Sequence, residues 1–221
     1  SAIIHTVFPI ITNNVSSNKK QNEIIVNTVF KILFYFSFVI SVGVVFKATS
    51  IIELVFGKEY SEAALPVAIL FFAQIFVYYN FFCTNLTIIY NKQIWNIFFM
   101  IALLTGNAIL NIVLIPQFSF TGAGISKLII SLTGITITTG FIYKLGYKLY
   151  FFKGRQIIWA ILLIGAAYGI SFLGILLYAF LYLFILAGLT LLSGFFSNEE
   201  ILYIFRLIGK ESWGNKINSL N

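Results

Sequence analysis

Charge is scarce in this chain: Asp, Glu, Lys and Arg together make up 10% of its 221 residues. A soluble domain carries about a quarter, so a surface solvated on all sides is excluded. All seven acids are glutamates, Glu23, Glu53, Glu59, Glu62, Glu199, Glu200 and Glu211. Each falls in a loop or at the end of an apolar run, which leaves no pair of buried acids for general acid–base chemistry and no buried carboxylate for proton or sodium coupling. The single cysteine, Cys83, lies inside an apolar run. It rules out an internal disulfide and a thiolate metal cluster and reads as a small packing residue. The one histidine, His5, is near a run end and reads as an interfacial side chain. No cofactor is expected.

What the chain has instead is long apolar runs, with 60% hydrophobic residues and a mean hydropathy of +0.97. An all-α integral membrane protein is predicted. The net charge of +7 sits in short loops between the runs, which fits the positive-inside pattern rather than nucleic-acid binding.

The stretch from Asn107 to Ser131 organises the rest. An apolar helix pattern reaches Ile115, Pro116 cannot continue its hydrogen bonding, and a second pattern opens with Gly122-Ala123-Gly124. This predicts a tight helical hairpin whose arms, back to Ile94 and on to Tyr143, each exceed the roughly 20 residues that cross a bilayer core.

Taken in order, residues 1 to 11 predict a truncated span and the chain reads as a fragment. A polar stretch then leads to a helix starting near Ser17 or Asn18. Six complete spans are expected near 29–50, 62–90, 94–115, 119–144, 157–177 and 180–196. Gly57 is placed to end a helix, with Ser61 and Glu62 to cap the next. Residues 144–155 combine Lys144, Lys148, Lys153 and Arg155 with aromatic residues as a headgroup-level belt. The uncharged block 157–196 must turn once, expected near Leu177 to Ala179. Ser197-Asn-Glu-Glu200 forms a capping box that opens an amphipathic tail over 197–221.

Placing alternate loops on opposite sides puts eleven cations on one face and only Lys47 and Lys58 on the other. The cation-rich face is therefore expected to be cytoplasmic. Lys31 interrupts the first complete span near its start, and Lys127 falls well inside the fourth. Lys127 shares a helical stripe with Gly124, Ser131, Gly134 and Thr138, while Asn107 and Asn111 are one turn apart on the preceding arm. Gln74, Tyr78, Phe81 and Asn85 form a stripe on an earlier span, and Asn80, Thr84, Thr87 and Asn91 another. Two readings compete for these groups. They either make interhelical hydrogen bonds in a dry contact or line a hydrated path. The candidates for a substrate cavity are Lys127, Ser131, Thr138, Asn107, Asn111, Gln74 and Asn85, with no catalytic or metal-binding residue expected. Gly165 and Gly169 are a packing GxxxG.

The order Phe8-Pro9 at a span end, a basic loop, a span, Phe56-Gly57-Lys58-Glu59-Tyr60, a span, Asn107 to Ile115-Pro116, then Thr121-Gly122-Ala123-Gly124 resembles the C-terminal half of polysaccharide flippases. These are lipid-linked oligosaccharide exporters of the multidrug/oligosaccharidyl-lipid/polysaccharide superfamily. The resemblance covers about residues 1–145. It implies two six-helix bundles around a cavity that opens alternately to either face of the cytoplasmic membrane, moving a sugar chain on a polyprenyl diphosphate.

Residues 1–145 would then be the second-bundle core, 146–196 a peripheral hairpin and 197–221 a cytoplasmic tail. Membrane lipid, the lipid-linked oligosaccharide and the N-terminal half of the same chain are the implied partners. Lys127 departs from the family pattern, in which that position is more often small or apolar. The alternatives are a cation-coupled small-molecule or multidrug exporter, a membrane glycosyltransferase or acyltransferase, and a purely structural membrane protein. An enzyme is not expected, because the loops are short and poor in acids and histidine.

Overall fold

The computed structural model describes residues 19–144, 146, 154–197 and 200–201, and every regular element among them is helical. The truncated span expected at 1–11, with His5 and Pro9, lies outside the described residues. So do Lys148 and Lys153 of the belt and nearly all of the tail expected at 197–221.

Helix α1, Lys19–Val45, contains no proline to interrupt it. A turn at Phe46-Lys47 leads into α2, Ala48–Phe56, which Gly57 ends at φ 101° with its N–H donating to the Glu53 carbonyl. A side chain at that φ would be strained. The next segment corrects an expectation: Ser61 and Glu62 do not cap a helix. They lie within a 3₁₀ turn, Lys58–Ala63, that runs directly into α3, Ala64–Ile89, with no side-chain cap. Pro66 is the third residue of α3, where the missing N–H removes no intrahelical bond. Asn91, at φ 53°, ends α3 through bonds from Asn91 N–H to the Ile88 carbonyl and from Lys92 N–H to the Thr87 carbonyl, a Schellman-type closure.

Helix α4, Gln93–Lys144, is helical throughout except at Ser119, whose φ of 53° and ψ of −140° lie in a region nearly reserved for glycine. This one residue reverses the chain. A Cβ on Gly122 would collide with the Leu114 carbonyl, one on Gly106 would touch the Ile130 side chain, and the Trp95 and Phe141 rings lie 6.4 Å apart. These are the contacts of two antiparallel arms, a first arm at 93–118 and a second at 120–144, in one register. Helices α5, Gly154–Gly169, and α6, Ile175–Ser193, form a second hairpin. Its turn lies at 170–174 rather than near Leu177 to Ala179. Gly169 and Gly174 flank that turn, and dividing the uncharged block by length overlooked them.

Helix α3 packs between α1 and the second arm of α4. Phe30 and Phe82 meet edge to face at 4.7 Å, and Ile25, Val26, Val29, Cys83, Leu86 and Ile142 complete that core. The α5–α6 hairpin packs on another side of α1, where Trp159, Leu163, Ala167, Tyr178 and Tyr182 surround Phe38, Val39 and Val42. Helix α1 is thus the common wall of both cores. Among the described residues four helices, Asn22–Val45, Lys58–Ile89, Gln93–Lys144 and Ile175–Ser193, are long and apolar enough to cross a membrane.

Candidate functional site

The contact between α3 and the second arm of α4 is organised by one amide, Asn80. Its Nδ2 donates to the Ser131 carbonyl at 3.0 Å, and its Oδ1 accepts from the Thr138 hydroxyl at 3.0 Å. Gly134 lies directly beneath, so close that a Cβ there would sit 2.5 Å from Asn80 Nδ2. Near the Ser119 end, Gly124 likewise rests against the Pro66 carbonyl and Ile69. Ser131 and Thr138 are buried and committed to this seam. Interhelical bonds of this kind are worth on the order of 1 kcal/mol each. Asn80 had been grouped with Thr84, Thr87 and Asn91, and its spacing gave no sign that it spans two helices.

Lys127 occupies the same stripe but is exposed, and no hydrogen bond or ion pair to its ammonium occurs among the described residues. Its direction follows from helical geometry, in which successive side chains turn by about 100°. Ser131 and Thr138 point at α3 and Ile130 points at Gly106 of the first arm. By that geometry Lys127 shares the direction of Gly134 and Thr138, which meet Asn80, but it lies two turns or more nearer Ser119, where its side chain is exposed. Ile135, Thr139 and Ile142 are turned toward α1.

The arm register sets the level of each group. With Gly106 beside Ile130 and Leu114 beside Gly122, Lys127 is level with the segment between Asn107 and Asn111. Those two asparagines follow Gly106 around the first arm onto the flank turned toward α3. The Oδ1 of Asn111 is enclosed and accepts no hydrogen bond from a described group. On α3, Gln74 and Asn85 lie with Tyr78 and Phe81 on a face directed neither at α1 nor at the second arm. Tyr78 and Phe81 are 42% and 49% exposed. The Asn85 Nδ2 donates only to its own helix, to the Phe81 carbonyl at 2.7 Å. Of the seven candidates Lys127 is exposed and Asn107, Asn111, Gln74 and Asn85 are partly exposed. Ser131 and Thr138 are buried.

On the α1 side of the layer formed by α3 and the two arms, a cavity of about 400 Å³ is lined by Phe30, Leu33, Ile75, Phe76, Tyr79 and Ile135. Its polar groups are used up, with Tyr79 and Thr139 hydroxyls 2.7 Å apart. It suits an apolar occupant only. Two further lysines, Lys31 and Lys47, have protein partners. Lys31 pairs with Glu200 at 2.7 Å, and Lys47 donates to the Ser171 and Leu173 carbonyls at 2.6 Å each. They sit toward opposite ends of α1 and meet opposite ends of the α5–α6 hairpin. Three histidines, cysteines or acids placed to hold a metal ion do not occur together among the described residues. The exposed and partly exposed candidates thus offer one cation without a protein partner among the described residues, together with four amides, and no protein-family model, curated protein or solved structure matches the chain to add to this.

Proposed function

We propose that the chain is the second bundle of a multi-pass flippase that moves polyprenyl-diphosphate-linked oligosaccharide across the cytoplasmic membrane for cell-surface polysaccharide synthesis. The observation that carries this reading is Lys127, exposed and without a hydrogen bond or ion pair to its ammonium among the described residues; the reading groups it with the partly exposed Asn107, Asn111, Gln74 and Asn85 on one open side of the α3–α4 layer. Lys127 is eight residues beyond Ser119, about 12 Å along the arm, within a hydrocarbon core about 30 Å thick. A cation at that depth is costly unless water or an anion attends it. A diphosphate supplies the anion, attracted by a charge that water there screens only partly. The amides offer donors and acceptors to sugar hydroxyls, and Tyr78 offers a ring face. The N-terminal half of the same chain is the partner expected across the cavity.

Glycan export measured at matched protein level tests the assignment. Lys127→Ala is expected to lower export roughly tenfold, equivalent to about 1.4 kcal/mol, with Lys127→Arg retaining more. Equal export by Lys127→Ala and the parent would remove the residue, and with it the main support for the reading.

A further inference from the structure

We propose that the end of the α4 hairpin remote from Ser119 is a binding site for the phosphate headgroup of an anionic phospholipid. A cavity of about 490 Å³ opens there, with Lys92 and Lys144 as its cations, Trp95, Phe99 and Phe141 as walls, and Gly140 at its edge. No acid lines it. The ammonium groups of Lys31 and Lys47 are taken by protein acceptors, whereas those of Lys92 and Lys144 are exposed and have no protein partner among the described residues. Two uncompensated cations over an aromatic wall attract a phosphate and hold the glycerol region beside it.

The site is built rather than incidental, because the backbone that carries Lys92 is fixed from both sides. Its N–H donates to the Thr87 carbonyl at 2.8 Å, and its own carbonyl accepts from Trp95 N–H at 3.0 Å. Beneath it the buried Asn96 receives the Thr87 hydroxyl and donates to the Thr84 carbonyl at 3.1 Å. From this site Ile94, Ile97, Phe98 and Ile101, each more than half exposed, continue along the first arm as a track for acyl chains. Thr136 and Gly140 lie across the second arm from Lys127, so this site is separate from the open side assigned to the sugar chain. It depends on a membrane location and not on the flippase reading.

The test uses the full chain purified in detergent, with retained lipid counted by native mass spectrometry. The probes are phosphatidylglycerol, phosphatidylcholine of the same acyl chains, and inorganic phosphate. Phosphatidylglycerol should be retained about tenfold over phosphatidylcholine and should not be displaced by equimolar phosphate. Lys92→Gln with Lys144→Gln should lower that retention about tenfold, while Lys58→Gln should leave it unchanged. Gly140→Phe keeps both lysines and fills the cavity. Because a Cβ at Gly140 meets nothing within 4 Å, this variant is expected to fold, as helical circular dichroism would verify, and to lose retention as well. Parent-like retention by Gly140→Phe would reduce the lysines to diffuse surface charge and overturn the site. Displacement by free phosphate, or equal retention of phosphatidylcholine, would overturn the phospholipid assignment.

Discussion

The Lys31 ammonium lies 2.7 Å from the carboxylate of Glu200, 169 residues further along the chain. The same carboxylate accepts from the Ser197 N–H at 2.7 Å, while the Ser197 hydroxyl accepts from the Glu200 N–H at 3.3 Å. One glutamate thus closes a capping box and ties the end of the α5–α6 hairpin to α1. Phe195 and Phe196, with ring centres 5.8 and 5.9 Å from the ammonium, limit the water around the pair.

A double-mutant cycle with Lys31→Gln and Glu200→Gln is expected to give a coupling of about 1 kcal/mol, at the upper end for exposed pairs because both side chains are only 18% accessible. Unfolding of the four variants in micelles measures it. Strictly additive effects would show that the contact contributes nothing.

Asn80 and Gly134 should behave as one unit. Gly134→Ala forces a Cβ against an amide held by two hydrogen bonds, and a cost of about 1–3 kcal/mol is expected. Asn80→Ala alone should cost about 1–2 kcal/mol from the lost bonds. Since the truncated side chain leaves room for the new methyl group, the double variant should be more stable than the sum of the two single effects. Stability of the three variants, read from the same unfolding curves, decides between coupling and independence.

At the hairpin turn, two substitutions should act in opposite directions. Ser119→Gly removes the strain of a side chain at φ 53°, ψ −140° and should stabilise by about 1 kcal/mol. Gly122→Ala drives a methyl group into the Leu114 carbonyl and should destabilise by more than about 2 kcal/mol. Destabilisation by Ser119→Gly would mean that its backbone conformation is not the one described.

Much of this architecture is legible in residue order, because run length alone predicts helices and Pro116 followed by Gly122 predicts the reversal. The position of the α5–α6 turn is not given by length, since leucine and glycine at 169–174 are compatible with either a helix or a bend until a neighbour takes the freed carbonyls. The site divides in the same way. Spacing could place Lys127 and Ser131 on one stripe, but not show that Ser131 belongs to a dry seam while Lys127 is exposed. That depends on Asn80, on another helix, which meets Ser131, Gly134 and Thr138 but not Lys127. The Lys31–Glu200 pair is beyond any local pattern for the same reason: its partners are brought together only by packing.

The lysine at the other end of α1 constrains biosynthesis. Lys47 is buried, its ring neighbour Tyr178 is 5.3 Å away, and both carbonyls that receive its ammonium lie about 124 residues downstream. At about 5–20 residues per second, a ribosome takes roughly 6 to 25 s to deliver Ser171 after Lys47. For that interval α1 is in place while its charge is unattended, so the charge must wait at the wet border of the bilayer. The α5–α6 hairpin completes α1 as it arrives, and truncating the chain before residue 171 would leave that charge exposed for as long as the protein lasts.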